Sequence, residues 1–462
     1  MQLAKSISLR NGCNFFKIIF SAFFVCLSIT GFSQDNSPYS RYGLGNEFPK
    51  MNVGSRGMGG VSAAYSDIFS VNFNNPASYS NFLAILEPRS QKLSSGRVVL
   101  DVGLNITSRT LTTPNTPQSF TSSDALFSHV YVGVPLRKNW GLAFGLRPLS
   151  RINYNVFRRE LLRDPSTNLP IDSAVTQFTG TGGSFLPSIG TGFGIGKLNV
   201  GVNVGYLFGR KELSTRRVLI NDTVEYAASN HTSNTSFGNV FFNAGAQYRI
   251  TLNDRTTLSL GVTGNWKQKL NATRDLTRQT YTRAATGEEL VIDSVSTQTD
   301  IPGEIIYPAS YTGGFIVERA PGEATRGFAI GADLVQNRWD DFRFFGAKDS
   351  VRNNWELRVG TQLGSMRVPS RYAQAVSYRF GFFVGQDYIH VQNNLPVFGL
   401  TFGMGLPIVN YNRLSPNQYS ILNLGLEFTR RGNDENLLKE NLFRLSLGFN
   451  FTDLWFGKRK YD

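Results

Sequence analysis

Few residues in this chain have the neighbours that chemistry needs. His129, His231 and His390 stand far apart, with no second histidine or cysteine nearby, so each is expected in a loop or lumen rather than at a metal. The glycines of Gly141–Gly145 form no phosphate loop, because no Gly-Lys-Ser/Thr follows at the required spacing. Ser184, in Gly-Gly-Ser-Phe-Leu-Pro, lacks the frame of a nucleophile elbow. Asp340-Asp341 could bind a cation, although isolated acidic pairs are usually solvated. No enzyme, no metal and no cofactor are expected. The residues that do form a pattern shape backbone. Gly57, Met58, Gly59 and Gly60 make a compact glycine-rich cluster, Asp67 follows, and Asn75-Pro76-Ala77 marks a turn.

The elements that position these residues begin with a leader. Lys5, Arg10 and Lys17 precede an apolar run from Ile18 to Ile29, and Gly31 and Ser33 sit at −3 and −1 of a cut before Gln34. The run is shorter than the roughly 20 residues of a spanning helix. Phe24 and Val25 stand where a lipid-anchor box before Cys26 would need small residues. Both cysteines, Cys13 and Cys26, fall inside the leader, so the exported chain is expected to have no thiol chemistry. Three of the 47 basic residues and none of the 33 acidic ones lie there, which leaves a net charge of +11. The basic residues are scattered and the chain is exported, so nucleic acid is rejected as a partner. Anionic lipid head groups, lipopolysaccharide included, fit better. Arg158-Arg159 and Arg216-Arg217 could face such phosphates or simply be solvated.

Beyond the leader, period-two alternation dominates. Leu100, Val102, Leu104 and Ile106 interleave with Asp101, Gly103, Asn105 and Thr107; Leu422, Leu424, Leu426 and Phe428 interleave with Asn423, Gly425, Glu427 and Thr429. One face of each strand meets an apolar medium and the other something polar or crowded. Strands are expected near 97–109, 125–136, 140–157, 175–195, 198–220, 236–251 and 256–283, then near 310–319, 327–339, 354–366, 373–388, 395–408, 417–430 and 442–453. Short turns (137–139, 196–197, 252–255) alternate with long polar stretches (110–124, 158–174, 221–235), as in outer-membrane barrels. Trp140, Tyr206, Trp266, Trp339, Trp355 and Trp455 fall at strand ends, where amphipathic rings anchor. Glycines inside the strand patterns would weaken a soluble sandwich, but permit close packing around a filled lumen. In lipid only helices and closed barrels satisfy the backbone. The expected fold is therefore all-β, a transmembrane antiparallel β-barrel of about 14 strands with an N-terminal lumen plug. Residues 1–33 form the signal, 34–96 the arm and plug, and 97–462 the barrel. Within 34–96, Val61–Asp67 is expected as a short helix.

Here the sequence resembles the FadL-type (OMPP1/FadL/TodX-like) outer-membrane transport family. Arg56-Gly57-Met58-Gly59-Gly60, Ala63-Ala64, Asp67 and Asn75-Pro76-Ala77 are similar to that family's N-terminal hatch. Gly405-Leu406-Pro407, Leu424-Gly425-Leu426-Glu427, Arg431-Gly432 and Trp455–Lys460 are similar to its C-terminal third. The resemblance implies a Gram-negative outer-membrane channel for small hydrophobic, fatty-acid-like molecules. The ligand would enter an apolar pocket, the hatch would shift at Asn75-Pro76-Ala77, and the ligand would leave sideways through the wall. A rigid plug turn is the alternative reading of those three residues. Gln34–Gly54 has no counterpart in shorter members of that family, and could thread the periplasm or bind a partner. Two rival functions follow. One is an accessory subunit of an outer-membrane secretion or assembly complex, with other outer-membrane or periplasmic proteins as partners. The other is a purely structural barrel with a blocked lumen. Transport predicts a pocket lined by Phe, Leu and Val; the accessory role predicts a filled lumen and an exposed apolar patch.

Overall fold

The computed structural model describes residues 36–87, 93–114, 118–221, 226–283, 289–321, 327–364, 375–409 and 419–455. The expected leader and its expected cut lie outside them. Sixteen long strands follow one another: β1 Leu93–Thr112, β2 Ser119–Arg137, β3 Trp140–Arg163, β4 Pro170–Ile195, β5 Leu198–Ile220, β6 Ala228–Asn253, β7 Thr256–Asn265 and β8 Gln268–Arg283. Then come β9 Glu289–Tyr307, β10 Ser310–Arg319, β11 Phe328–Asn337, β12 Asn354–Leu363, β13 Ser377–Val391, β14 Asn393–Val409, β15 Tyr419–Arg431 and β16 Lys439–Trp455. Consecutive strands pair antiparallel except at two places: β7 pairs with β6 and β10, and β8 pairs with β6 and β9; β16 returns to β1 through Leu445↔Ile106 and its flanking pairs. The ring is closed and has 14 strands, because β8 and β9 extend β7 and β10 outward as a hairpin rather than adding to the circumference. Closure removes the sheet edges that lipid could not satisfy.

The inward side of the alternation is polar and buried: Asp101 is 2% exposed, Asp333 1% and Asn423 4%. The outward side is an exposed apolar band that includes Phe144, Val202, Val262, Phe315, Phe380, Leu400 and Phe443. Trp140, Tyr248 and Trp455 stand exposed at one margin, and Trp266, Tyr311 and Trp355 at the other. Tight turns at Asn139 and Gly196, both with positive φ, mark the periplasmic end by the convention of such barrels.

Four expectations are corrected. Trp339 is no interfacial anchor; it is 2% exposed and stacks on Tyr388 inside the barrel, with ring centroids 4.2 Å apart. Residues 61–67 are not helical; the helical turns of the N-terminal region are α1 (Val53–Arg56) and 3-10 turns at Pro38–Arg41 and Pro76–Asn81. Within the outer stretches expected at 158–174 and 221–235, residues 158–163, 170–174 and 228–235 are strand, and so is 289–307. The wall is therefore uneven. The 26 residues of β6 run about 85 Å at roughly 3.3 Å per residue, against about 33 Å for the 10 residues of β11.

Phe144 sits in the apolar band and Phe157 on the wall above it, exposed at 44% and 60%. Phe144→Arg is expected to lower barrel stability by about 2–4 kcal/mol and Phe157→Arg by about 0–1 kcal/mol, measured by urea unfolding in lipid vesicles. Equal losses would place the membrane at the wrong height.

Candidate functional site

Residues 36–87 run inside the ring. α1 begins at Asn52, whose side-chain oxygen accepts from the Ser55 N–H at 2.9 Å. Gly59 and Gly60, at φ +67° and +87°, then turn the chain. Asn75 caps the Pro76–Asn81 turn by accepting from the Ala77 N–H at 3.1 Å, with Pro76 at the first position. From Val53 to Phe82 this segment follows the wall around the lumen. Among the described residues, twelve of the fourteen ring strands place a glycine against it. A Cβ on Gly403 would come within 2.9 Å of the Gly57 Cα, one on Gly201 within 2.5 Å of the Pro76 carbonyl oxygen, and one on Gly133 within 2.5 Å of the Phe82 ring. At Gly360 and Gly381 a Cβ would collide with the backbone of Met58 and Gly59. The liner is thus in backbone-to-wall contact along most of its course.

Gly57, Met58, Gly59 and Gly60 come together against β12–β14, where the Gly59 N–H donates to Thr401 Oγ1 at 2.8 Å. Asn75, Pro76 and Ala77 lie on a different arc, against β4–β6. Asn75 Nδ2 donates to the Ala63 carbonyl at 2.6 Å and reaches the Val262 carbonyl at 3.3 Å. Asp67 joins neither group. It is half-buried, accepts from the Phe69 N–H at 3.0 Å and the Tyr65 hydroxyl at 3.3 Å, and lost solvation pushes its carboxyl up.

The anchors on the wall were not singled out from sequence. Asp333 Oδ2 accepts from the Ser62 and Ala63 N–H groups at 2.7 and 2.9 Å, and Asp101 Oδ2 from Val71 N–H at 3.0 Å. Arg56 pairs with Glu427 at 2.6 Å; burial pushes the guanidinium's pKa down and the carboxylate opposes the shift. Glu440 accepts from Ser37 Oγ at 2.9 Å, and also binds Arg109 at 2.8 Å and Arg431 at 3.1 Å. Lys211 donates to the carbonyls of Arg41 and Gly43 at 2.9 and 2.8 Å. The available signal was a charged or amide residue at an inward position of an otherwise apolar alternation, as in Phe328–Asn337.

The arm, residues 36–48, does not enter the periplasm. It fills a gap in the wall. β2 and β3 pair from Arg137↔Trp140 only as far as Val130↔Leu146. Above that point the free side of β3 pairs with the arm, through Asn46↔Arg151, Glu47↔Ser150, Phe48 N–H to Leu149 O at 2.8 Å and Ser37 N–H to Asn153 O at 2.9 Å. The outer loop between β11 and β12 folds inward over the arm, and Asp349 accepts from the Gly43 N–H at 2.8 Å. Trp339, Phe342 and Tyr388 pack there with Tyr39 and Leu44. Between arm, liner and wall lies a chamber of about 250 Å³. Its lining holds seven cations and five carboxylates.

The other sequence candidates are structural. His129 is fully buried beside Asp101, its Nε2 3.0 Å from a carboxylate oxygen. Ser184 shares a hydrogen bond with Ser150 at 2.7 Å. Among the described residues no cluster of histidine, cysteine, aspartate and glutamate has the makings of a metal site. Arg158 and Arg216 pair with Glu160 and Glu289 on the outer wall.

Fold and site together define a membrane-type β-barrel lined by its own N-terminal segment. The chain belongs to the BamG family, whose sequence model matches residues 15–462. That match does not show the FadL-type membership which the sequence resembles. No curated protein matches in sequence. Among solved structures the chain is similar to the CymD monoaromatic hydrocarbon channel, at 14% identity over 89% of this chain and 98% of that one, with a TM-score of 0.49. It is also similar to a Pseudomonas aeruginosa FadL homologue (12%, 89% and 99%, 0.49) and to the P. putida toluene transporter TodX (14%, 86% and 97%, 0.46).

Gly201→Val is expected to dislodge the liner while the barrel still inserts, so that residues 60–80 become open to protease. Gly313→Val, at a position with open space around its Cβ, should leave them protected. Identical digestion of the two variants would remove the steric argument. Glu427→Gln leaves Arg56 and Arg444 without their shared carboxylate. It should destabilise the barrel by about 3–5 kcal/mol, read from its thermal or urea unfolding.

Proposed function

We propose that this protein is a non-transporting outer-membrane barrel that acts as an accessory subunit of a larger outer-membrane complex. The observation that carries this reading is the filling of the lumen. The liner follows the wall, the arm seals the β2–β3 gap, and the outer loop closes over both. The space left is a chamber of mixed lining, with seven cations and five carboxylates beside Phe48, Met51, Leu149 and Phe241, where a channel for hydrophobic molecules needs a predominantly apolar one. On this reading Gly57–Gly60 and Asn75-Pro76-Ala77 are fixed points of a rigid liner rather than a gate. The family's name points the same way, toward an outer-membrane complex.

The tall side of the wall supplies a docking surface. Phe157, Leu161, Ile171, Val218 and Ile220 are exposed on β3–β5 above the apolar band. Exposed apolar side chains interleaved with charge, clear of the apolar band, suit a protein contact site. A second reading, transport of hydrophobic compounds, draws support from one feature. Among the described residues, the gap above Leu146 is bridged by hydrogen bonds to the arm and by the Arg151–Asp124 pair at 2.9 Å, so a released arm would open a lateral slot.

The two readings separate in one experiment. The tagged protein, purified from native outer membranes in mild detergent, is expected to retain a stoichiometric protein partner. Leu161→Glu with Ile220→Glu should abolish that association without loss of the folded barrel. A solitary barrel that takes up a hydrophobic fluorophore into vesicles would overturn the accessory reading.

A further inference from the structure

We propose that the lumen chamber is a binding site for a small hydrophilic oxyanion, a carboxylate or phosphate group, held by Arg147. Six of the seven cations in its lining lie within 4.0 Å of a carboxylate. Arg147 has no such partner among the described residues. It is 6% exposed, and its Nη1 is buried with no hydrogen bond. Its guanidinium lies over the Phe73 ring at 5.3 Å, which fixes its plane without neutralising it.

A buried charge with no counter-charge is costly, and the cost is relieved by an anion brought in from solution. The guanidinium fork matches two oxygens of one carboxylate or phosphate group. Asn243, Thr263, Asn265 and Thr312 share the chamber and carry the amides and hydroxyls that bond further oxygens. A volume of about 250 Å³ equals roughly eight waters at about 30 Å³ each, enough for a small organic anion. The inference is independent of the accessory role, because it needs only the chamber and the unpaired cation.

The test uses the exported chain folded in detergent at constant ionic strength. Sodium acetate, inorganic phosphate and sodium chloride are titrated separately, with binding followed by calorimetry and by the thermal midpoint. Acetate or phosphate should bind saturably with one site per barrel and raise the midpoint, and whichever binds identifies the group preferred. Arg147→Gln should weaken that binding at least tenfold. Arg147→Lys, which keeps the charge but not the fork, should fall between. Folding of each variant is checked by its heat-modifiable mobility. The proposal fails if chloride gives the same response as the oxyanions, if neither oxyanion saturates on the wild-type barrel, or if a folded Arg147→Gln or Arg147→Lys barrel binds as tightly as wild type.

Discussion

The closeness of the liner to the wall is the constraint on which the rest depends. A backbone can lie against a strand face only where the strand offers no side chain. The ring meets this condition strand by strand, with glycine at the contact on twelve of its fourteen members. Glycine in a strand interior gives up packing and adds unfolded-state entropy. Here that loss is offset by contact between two backbones, and the offset exists only while the liner is seated. Barrel and liner are thus one folding unit. The same geometry argues against a small local hatch movement, because shifting Pro76 means leaving the hollows made by Gly192 and Gly201 together.

Charge then sets where along the wall each part of the liner rests. Arg56 with Glu427, Ser37 with Glu440 and the Ser62–Ala63 amides with Asp333 join residues 270 to 403 positions apart. Buried ion pairs add little net stability, since desolvation consumes most of the attraction. What they provide is register. A liner slid by one residue would strand several buried charges at several kcal/mol each, so a sliding path between seated and unseated states is closed off. The arm follows the same rule, with backbone pairing to β3 joined by Ser37 on Glu440 and by the Arg41 and Gly43 carbonyls on Lys211.

The barrel was legible in the sequence because lipid on one side and polar contacts on the other write a period of two into every ring strand. Alternation at Leu100–Thr107 and Leu422–Thr429 places Asp101, Asn423 and Glu427 inward, where they are found. The hairpin of β8 and β9 was half missed for the same reason. Glu289–Tyr307 stands above the membrane with both faces largely exposed, so no medium imposes a pattern on it. The liner was legible only as glycine-rich and non-alternating. Its path depends on which wall glycine meets which liner atom, and on Asp333 or Glu440 finding partners hundreds of residues away. Local sequence holds no record of such pairings. Trp339 misled for a related reason: its position at a strand end suggests an interface anchor, whereas the loop after β11 turns inward and stacks it on Tyr388.

The uneven wall completes the functional argument. A barrel built to conduct has reason to keep its lumen open and its rim short. This chain instead lines its lumen with its own backbone and extends β3–β6, β8 and β9 well beyond the apolar band. Among the described residues no strand pairs with the outer edge of β9 from Leu290 to Gly303, and at its inner end the Phe345 N–H donates to the Glu304 carbonyl at 3.0 Å. Leu290, Val291, Ile292 and Val295 are exposed beside that edge. Open edges with apolar side chains invite pairing, and Asp293, Asp300 and Pro302 are the kind of residue that discourages indiscriminate pairing. On the accessory reading proposed above, an edge that is open but guarded by charge is where a specific protein neighbour would pair.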